Sequence, residues 1–104
     1  MSDLWVHDDQ VACTHPGWAT LHGWSEVSAS WFAMFQGPQV LQFIVTDLRV
    51  RVIGDVAWVT CDENLIGDGR GVGGTVAALN VFVRTAEGWQ VVAHHGSPVQ
   101  GRAL

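Results

Sequence analysis

Between residues 40 and 97 the chain is a succession of apolar-rich runs that alternate with a period of two and are parted only by turn residues. The alternation predicts four strands, at about 40–53, 56–66, 75–85 and 89–97. Gly54-Asp55 is a glycine-first pair of the kind a type II′ hairpin prefers. Ala86-Glu87-Gly88 suits a three-residue hairpin with its glycine in the left-handed position. The glycine-rich stretch from Gly67 to Gly74 superficially resembles a phosphate loop, but no Gly-Lys-Ser/Thr follows and a strand comes next. A mobile hairpin loop over a pocket is the expectation there. Four strands joined in this way make one curved antiparallel meander.

What precedes the meander is different. Gln10 to Thr14 reads as a short strand ended by His15-Pro16-Gly17, and residues 18–23 form a connector. Residues 24–36 read as the main helix, with Ser25 to cap it, Glu26 near its positive end and Gly37-Pro38 to stop it. Trp24, Val27, Trp31, Met34 and Phe35 recur at spacings of three and four, an apolar stripe that must lie on the sheet. The fold class expected is α+β, a curved antiparallel sheet with one main helix on its concave face, as a single domain of 104 residues.

Composition narrows the functions. Ten Asp and Glu face five Arg and no Lys, for a net charge of -5, which argues against a nucleic-acid partner. The acidic first residues do not resemble a signal peptide and no apolar run is long enough to span a membrane, so a cytoplasmic, soluble protein is expected. Cys13 and Cys61 lack CxxC spacing, and the five histidines show no metal-binding pattern; buried free thiols, no metal and no cofactor are the expectation. With 48% apolar residues and only 14% charged, a chain this small has more apolar surface than it can hide, which points to self-association.

If the short turns set the register, Val50 faces Val59 and Val81 faces Ala93; if the glycine loop closes symmetrically, Cys61 faces Asn80. Cys61, Asn80 and His94 then form a row on one sheet face, with Glu63 diagonal to Asn80 and Thr46 beside Glu63. Glu63, Asn80 and His94 converging over an apolar floor suit a small-molecule pocket and proton transfer: a buried carboxyl of raised pKa, an amide donor for an oxyanion, and an imidazole as acid or base. Thr46, Cys61, Trp31 and Phe82 would line it, with His15 and Trp18 at its mouth unless their turn is purely structural. Any one of the three central residues by itself reads as structural; their convergence points to a ligand. The opposite face gathers Arg49, Arg51, Trp58, Asp62, Trp89, Val91 and His95, which suits a homodimer interface. Asp47, Arg49 and Asp62 on that side could instead activate water, although paired surface charges there are common.

His15-Pro16-Gly17, the Leu21 to Gly23 step into a helix holding Ser30-Trp31, the hairpin from Gly54 to Val59, Asn80-Val81-Phe82, Gly88-Trp89 and His95-Gly96-Ser97-Pro98 together resemble the SnoaL-like branch of the nuclear transport factor 2-like superfamily. The resemblance covers about residues 8–99. It implies a cone of curved sheet around a pocket, commonly dimeric through the outer face, in a superfamily that also holds ketosteroid isomerases and limonene epoxide hydrolases. Members usually begin with one or two further helices, which this chain is expected to lack, leaving the pocket open or covered by another subunit. The chain has no tyrosine, so the tyrosine-based oxyanion site of the isomerases is excluded and the acid-arginine-acid set of the hydrolases is matched only loosely. Two functions follow as expectations: a binder of a small apolar molecule, catalysing proton transfer as a cyclase or isomerase does, or a non-catalytic association module.

Overall fold

The computed structural model describes residues 2–36, 42–66 and 74–103, so the expected glycine-loop lid and the Gly37-Pro38 stop lie outside the described residues. After a 3-10 turn at Ser2–Leu4 come β1 (Ala12–Thr14), β2 (Leu21–His22), α1 (Trp24–Phe35), β3 (Gln42–Ile53), β4 (Val56–Ile66), β5 (Gly74–Thr85) and β6 (Gly88–Ala103). These strands form one sheet in the order β2-β1-β6-β5-β4-β3. The last four strands are the expected antiparallel meander. The expected connector before the helix contributes β2, and β1 lies parallel to β6, with Cys13 opposite His94.

Local chemistry accounts for the hairpins and the helix. Ile53 pairs with Val56 around Gly54, whose φ of 58° needs no strain in a residue without a Cβ. Thr85 pairs with Gly88, so the second turn holds two residues, Ala86 and Glu87, rather than three. Ser25 lies inside the helix and does not cap it. The N-cap is Gly23, and the neighbouring backbone donors are taken by earlier backbone: Gly23 N–H by Val11 O at 2.8 Å and Trp24 N–H by Asp8 O at 2.9 Å. Glu26 Oε1 accepts the His22 N–H at 3.1 Å, bracing the strand-to-helix step.

Val50 faces Val59, as the Gly54 turn implies, and Val81 faces Ala93 because the second turn is one residue shorter than expected while one extra residue in β6, Val92, restores the register. Across β4 and β5, however, Cys61 faces Ala78 and Val59 faces Asn80, a displacement of two residues. Side chains alternate with period two, so this even displacement moves each residue along the sheet but leaves it on its face. Two bulges do change faces. Asp47 and Leu48 together lie opposite Cys61, with Asp47 at φ 54°, so Thr46 pairs with Asp62 rather than Glu63. In β6 an extra residue, Val92, brings Val91 opposite Phe82 and Trp89 opposite Arg84, turning both to the helix side.

The core is one-sided. Trp5, Val11, Cys13, Val27 and Val91 are buried together, with Val6, Leu21, Trp24, Trp31 and Phe82 packed against them. Each fully buried valine contributes on the order of 1.5–3 kcal/mol of transfer free energy. A helix roughly 10 Å wide covers about two strands spaced near 4.8 Å, and α1 lies over the β1 and β6 side. Phe43, Val45, Leu48, Val50 and Val52 of β3 are therefore exposed, as is Met34 of the expected helix stripe.

Candidate functional site

The turn from His15 to Trp18 has Pro16 second and Gly17 third at φ 82°, closed by Trp18 N–H donating to His15 O at 2.9 Å, the form of a type II turn. It folds the His15 and Trp18 rings together, edge to face at 4.8 Å between centroids. Trp31 from α1 meets His15 at 4.6 Å and His94 at 5.6 Å, and the two histidine rings are 6.4 Å apart. His94 enters from β6 beside Asn80 of β5, so four segments remote in sequence meet here. The floor towards β4 is shallow: Gly96, Ala78 and Cys61 form the next row. A Cβ on Gly96 would lie 3.1 Å from Val76 Cγ1 and 3.3 Å from the Pro16 ring, which is why the smallest residue stands under the turn.

The hydrogen bonds set the tautomers. Ser30 Oγ donates its single hydrogen to Val27 O at 2.7 Å, so at the 2.8 Å contact with His15 it accepts and His15 Nε2–H donates. His15 Nδ1 then carries the lone pair, with the Cys13 thiol 4.0 Å away. At 2.6 Å Asn80 Oδ1 accepts from His94 Nδ1–H, leaving the lone pair on His94 Nε2. Burial holds His94 down to about 4, with His15 and His95 adding to the effect, and burial likewise lowers His15. Both rings are neutral at pH 7. Burial pushes the Cys13 thiol up to about 11, so it is no nucleophile there.

Of the sequence-predicted residues, the structure brings together Asn80, His94, His15, Trp18 and Trp31. Phe82 lies on the same face, one row beyond Asn80, against the core. Cys61 is on the face but beside Ala78, its thiol raised by burial and then by Glu63 and Asp62. Glu63 lies between Val45 and Val76, four residues along β4 from the residue facing Asn80 and hence roughly 13 Å away along the strand. It is not diagonal to Asn80, although burial raises its carboxyl pKa as expected. Thr46 is not at the site: the β3 bulge turns it to the outer face, where Asn64 Nδ2 donates to its Oγ1 at 2.9 Å. Ser30 was missed as a site residue; its sequence signals were a serine between Val27 and Trp31 on an apolar helix stripe and its place in the Ser30-Trp31 pair that carries the family resemblance.

The outer face carries a hollow of about 270 Å³ lined by Asp47, Thr60, Asp62, Leu79, His95 and Ser97. Asp47 there is engaged by Arg49 Nε at 3.2 Å in a largely exposed pair. Among the described residues no three His, Cys, Asp or Glu side chains are grouped to hold a metal ion. Nor is any described helix long and apolar enough to cross a membrane.

This curved sheet with one helix against a histidine-lined face has known counterparts, and residues 1–100 match the family of the SnoaL-like domain. The chain belongs to that family. A crystal structure of an NTF2-like candidate dehydratase from Streptomyces avermitilis is 47% identical, with TM-score 0.81, covering 88% of this chain and 67% of that one. A candidate calcium/calmodulin-dependent protein kinase type II association domain from Thiobacillus denitrificans is 38% identical with TM-score 0.86, over 96% of this SnoaL-like chain and 80% of that structure. An F-box protein, SKIP8, from Arabidopsis thaliana is 36% identical over 97 residues, 93% of this chain; the chain spans 40% of that protein's length.

Proposed function

We propose that this SnoaL-like chain binds a small, largely apolar molecule on the helix side of its sheet and moves a proton on it, with His94 Nε2 as the base. The observation that carries this reading is the 2.6 Å bond from His94 Nδ1–H to Asn80, which holds a neutral imidazole in one tautomer beside aromatic walls. An imidazole that stays unprotonated down to about pH 4 is a weak base. It suits abstraction of an acidified proton, on a carbon next to a carbonyl or on an enol. A dehydratase, the activity class given to the Streptomyces relative, uses a step of that kind. Glu63, along the same face with its pKa raised by burial, is placed for the far end of a ligand rather than for the same proton. Native mass spectrometry of the purified chain is expected to show a co-purifying species of a few hundred daltons that disappears on His94→Phe. A bare spectrum, together with no shift of the imidazole resonances on adding neutral hydroxylated aromatics, would overturn the reading.

A second reading has its own support. Ile44, Ile53, Val56 and Leu79 are exposed on the outer face, and the Thiobacillus relative is described as an association domain. On this reading the chain is a homodimer through that face around Trp58, with no catalytic role. Sedimentation equilibrium expects twice the chain mass; a Trp58→Glu variant that leaves this mass unchanged removes the reading.

A further inference from the structure

We infer that the ligand of the histidine site is a neutral molecule that donates a hydrogen bond, an alcohol, enol or phenol on a largely apolar frame, with its O–H on His94 Nε2. This rests on the proposed ligand-binding role of the site and adds to it the charge and hydrogen-bonding sense of what is bound.

The two imidazole rings are asymmetric in what they present. His94 uses its N–H on Asn80, His15 uses its N–H on Ser30, and Ser30 uses its hydrogen on Val27 O. His94 Nε2 therefore offers only a lone pair, while the His15 Nδ1 lone pair faces the Cys13 thiol at 4.0 Å, and a ligand lacking a donor leaves the His94 acceptor unpaired. Among the described side chains an anion finds no counter-charge at the cluster. Arg49 is bound to Asp47 on the outer face, Arg51 stands opposite Trp58 on that face, and Arg84 lies over the Trp89 ring 4.8 Å from its centroid. There is no lysine in the chain, and among the described residues no cationic side chain faces the cluster. A cation is disfavoured for a different reason. The burial that strips the proton from His94 and His15 imposes the same desolvation cost on an ammonium brought beside them. A neutral donor meets neither obstacle.

Four probes of one shape separate these cases: 2-naphthol, 2-methoxynaphthalene, 2-naphthoate and 2-naphthylmethylammonium, titrated calorimetrically into the full chain at pH 7.5. The naphthol is expected to bind roughly tenfold more tightly than each of the others, the size of one hydrogen bond made rather than left unmade. In His94→Phe the advantage over the methyl ether should shrink to within about twofold. If that variant does not fold by circular dichroism, Asn80→Ala, which releases the tautomer, should narrow the same ratio. Naphthoate or the ammonium binding as tightly as naphthol, or a naphthol preference that survives both variants, overturns the inference and leaves the small-molecule reading standing. Failure of all four probes to bind removes both.

Discussion

The neutral state of His94 makes the stability of this fold depend on pH in a defined direction. Folding lowers the ring from 6.5 to about 4. Above pH 6.5 both folded and unfolded rings are neutral and the stability is fully present. As pH falls from 6.5 towards 4 the unfolded ring takes up a proton that the folded ring refuses, so stability is lost; below about 4 both carry it and this contribution levels off. One proton amounts to about 1.4 kcal/mol per pH unit, so the loss between pH 6.5 and 5 is at most about 2 kcal/mol, and nearer 1 once solvent reaching this part-buried ring is allowed for. His15 acts in the same direction. Urea unfolding of wild type and His94→Gln at pH 7.5, 6 and 5 tests this: the wild type should lose more stability on acidification, with the variant keeping the share that His15 contributes. Parallel pH dependences, or an imidazole resonance of His94 titrating above pH 6, would refute the reasoning.

Gly96→Ala is expected to destabilise by about 1–3 kcal/mol in denaturant melts, because the new methyl meets Val76 and the stiff Pro16 ring at 3.1 and 3.3 Å. Neutral stability would mean that the His15 turn is not seated on β6 as described. Val27→Ala, at a fully buried position between α1 and the sheet, should cost about 2 kcal/mol in the same assay. Thiol labelling of the native protein at pH 7.5 should reach Cys61 before Cys13, which is sealed in the core with its pKa near 11. Equal rates would contradict the core.

The meander was legible because strand alternation and turn chemistry are local. Gly54-Asp55 set Val50 against Val59 without reference to the rest of the molecule, and the even displacement across the glycine loop spared the faces of Asn80, His94 and Glu63. Thr46, Trp89 and Val91 were assigned to the wrong faces because a single inserted residue reverses parity, and neither bulge carries a glycine to mark it. Glu63 was placed too near Asn80 because the loop between β4 and β5 does not specify how far one strand slides along the other.

By itself the sequence determined the α+β class, the helix and the order of the four long strands, all consequences of periodicity and tight turns, whereas the expected pairing of Asn80 with His94 holds because the shorter second turn and the Val92 bulge cancel. Only the tertiary structure decided that β1 lies parallel beside β6, delivering Cys13 and His15 to His94, and that Ser30 and Asn80 give the two rings opposite tautomers. Contact between residues 15 and 94 leaves no local periodic trace: it depends on which sheet edge a three-residue strand joins, and burial under α1 settles that.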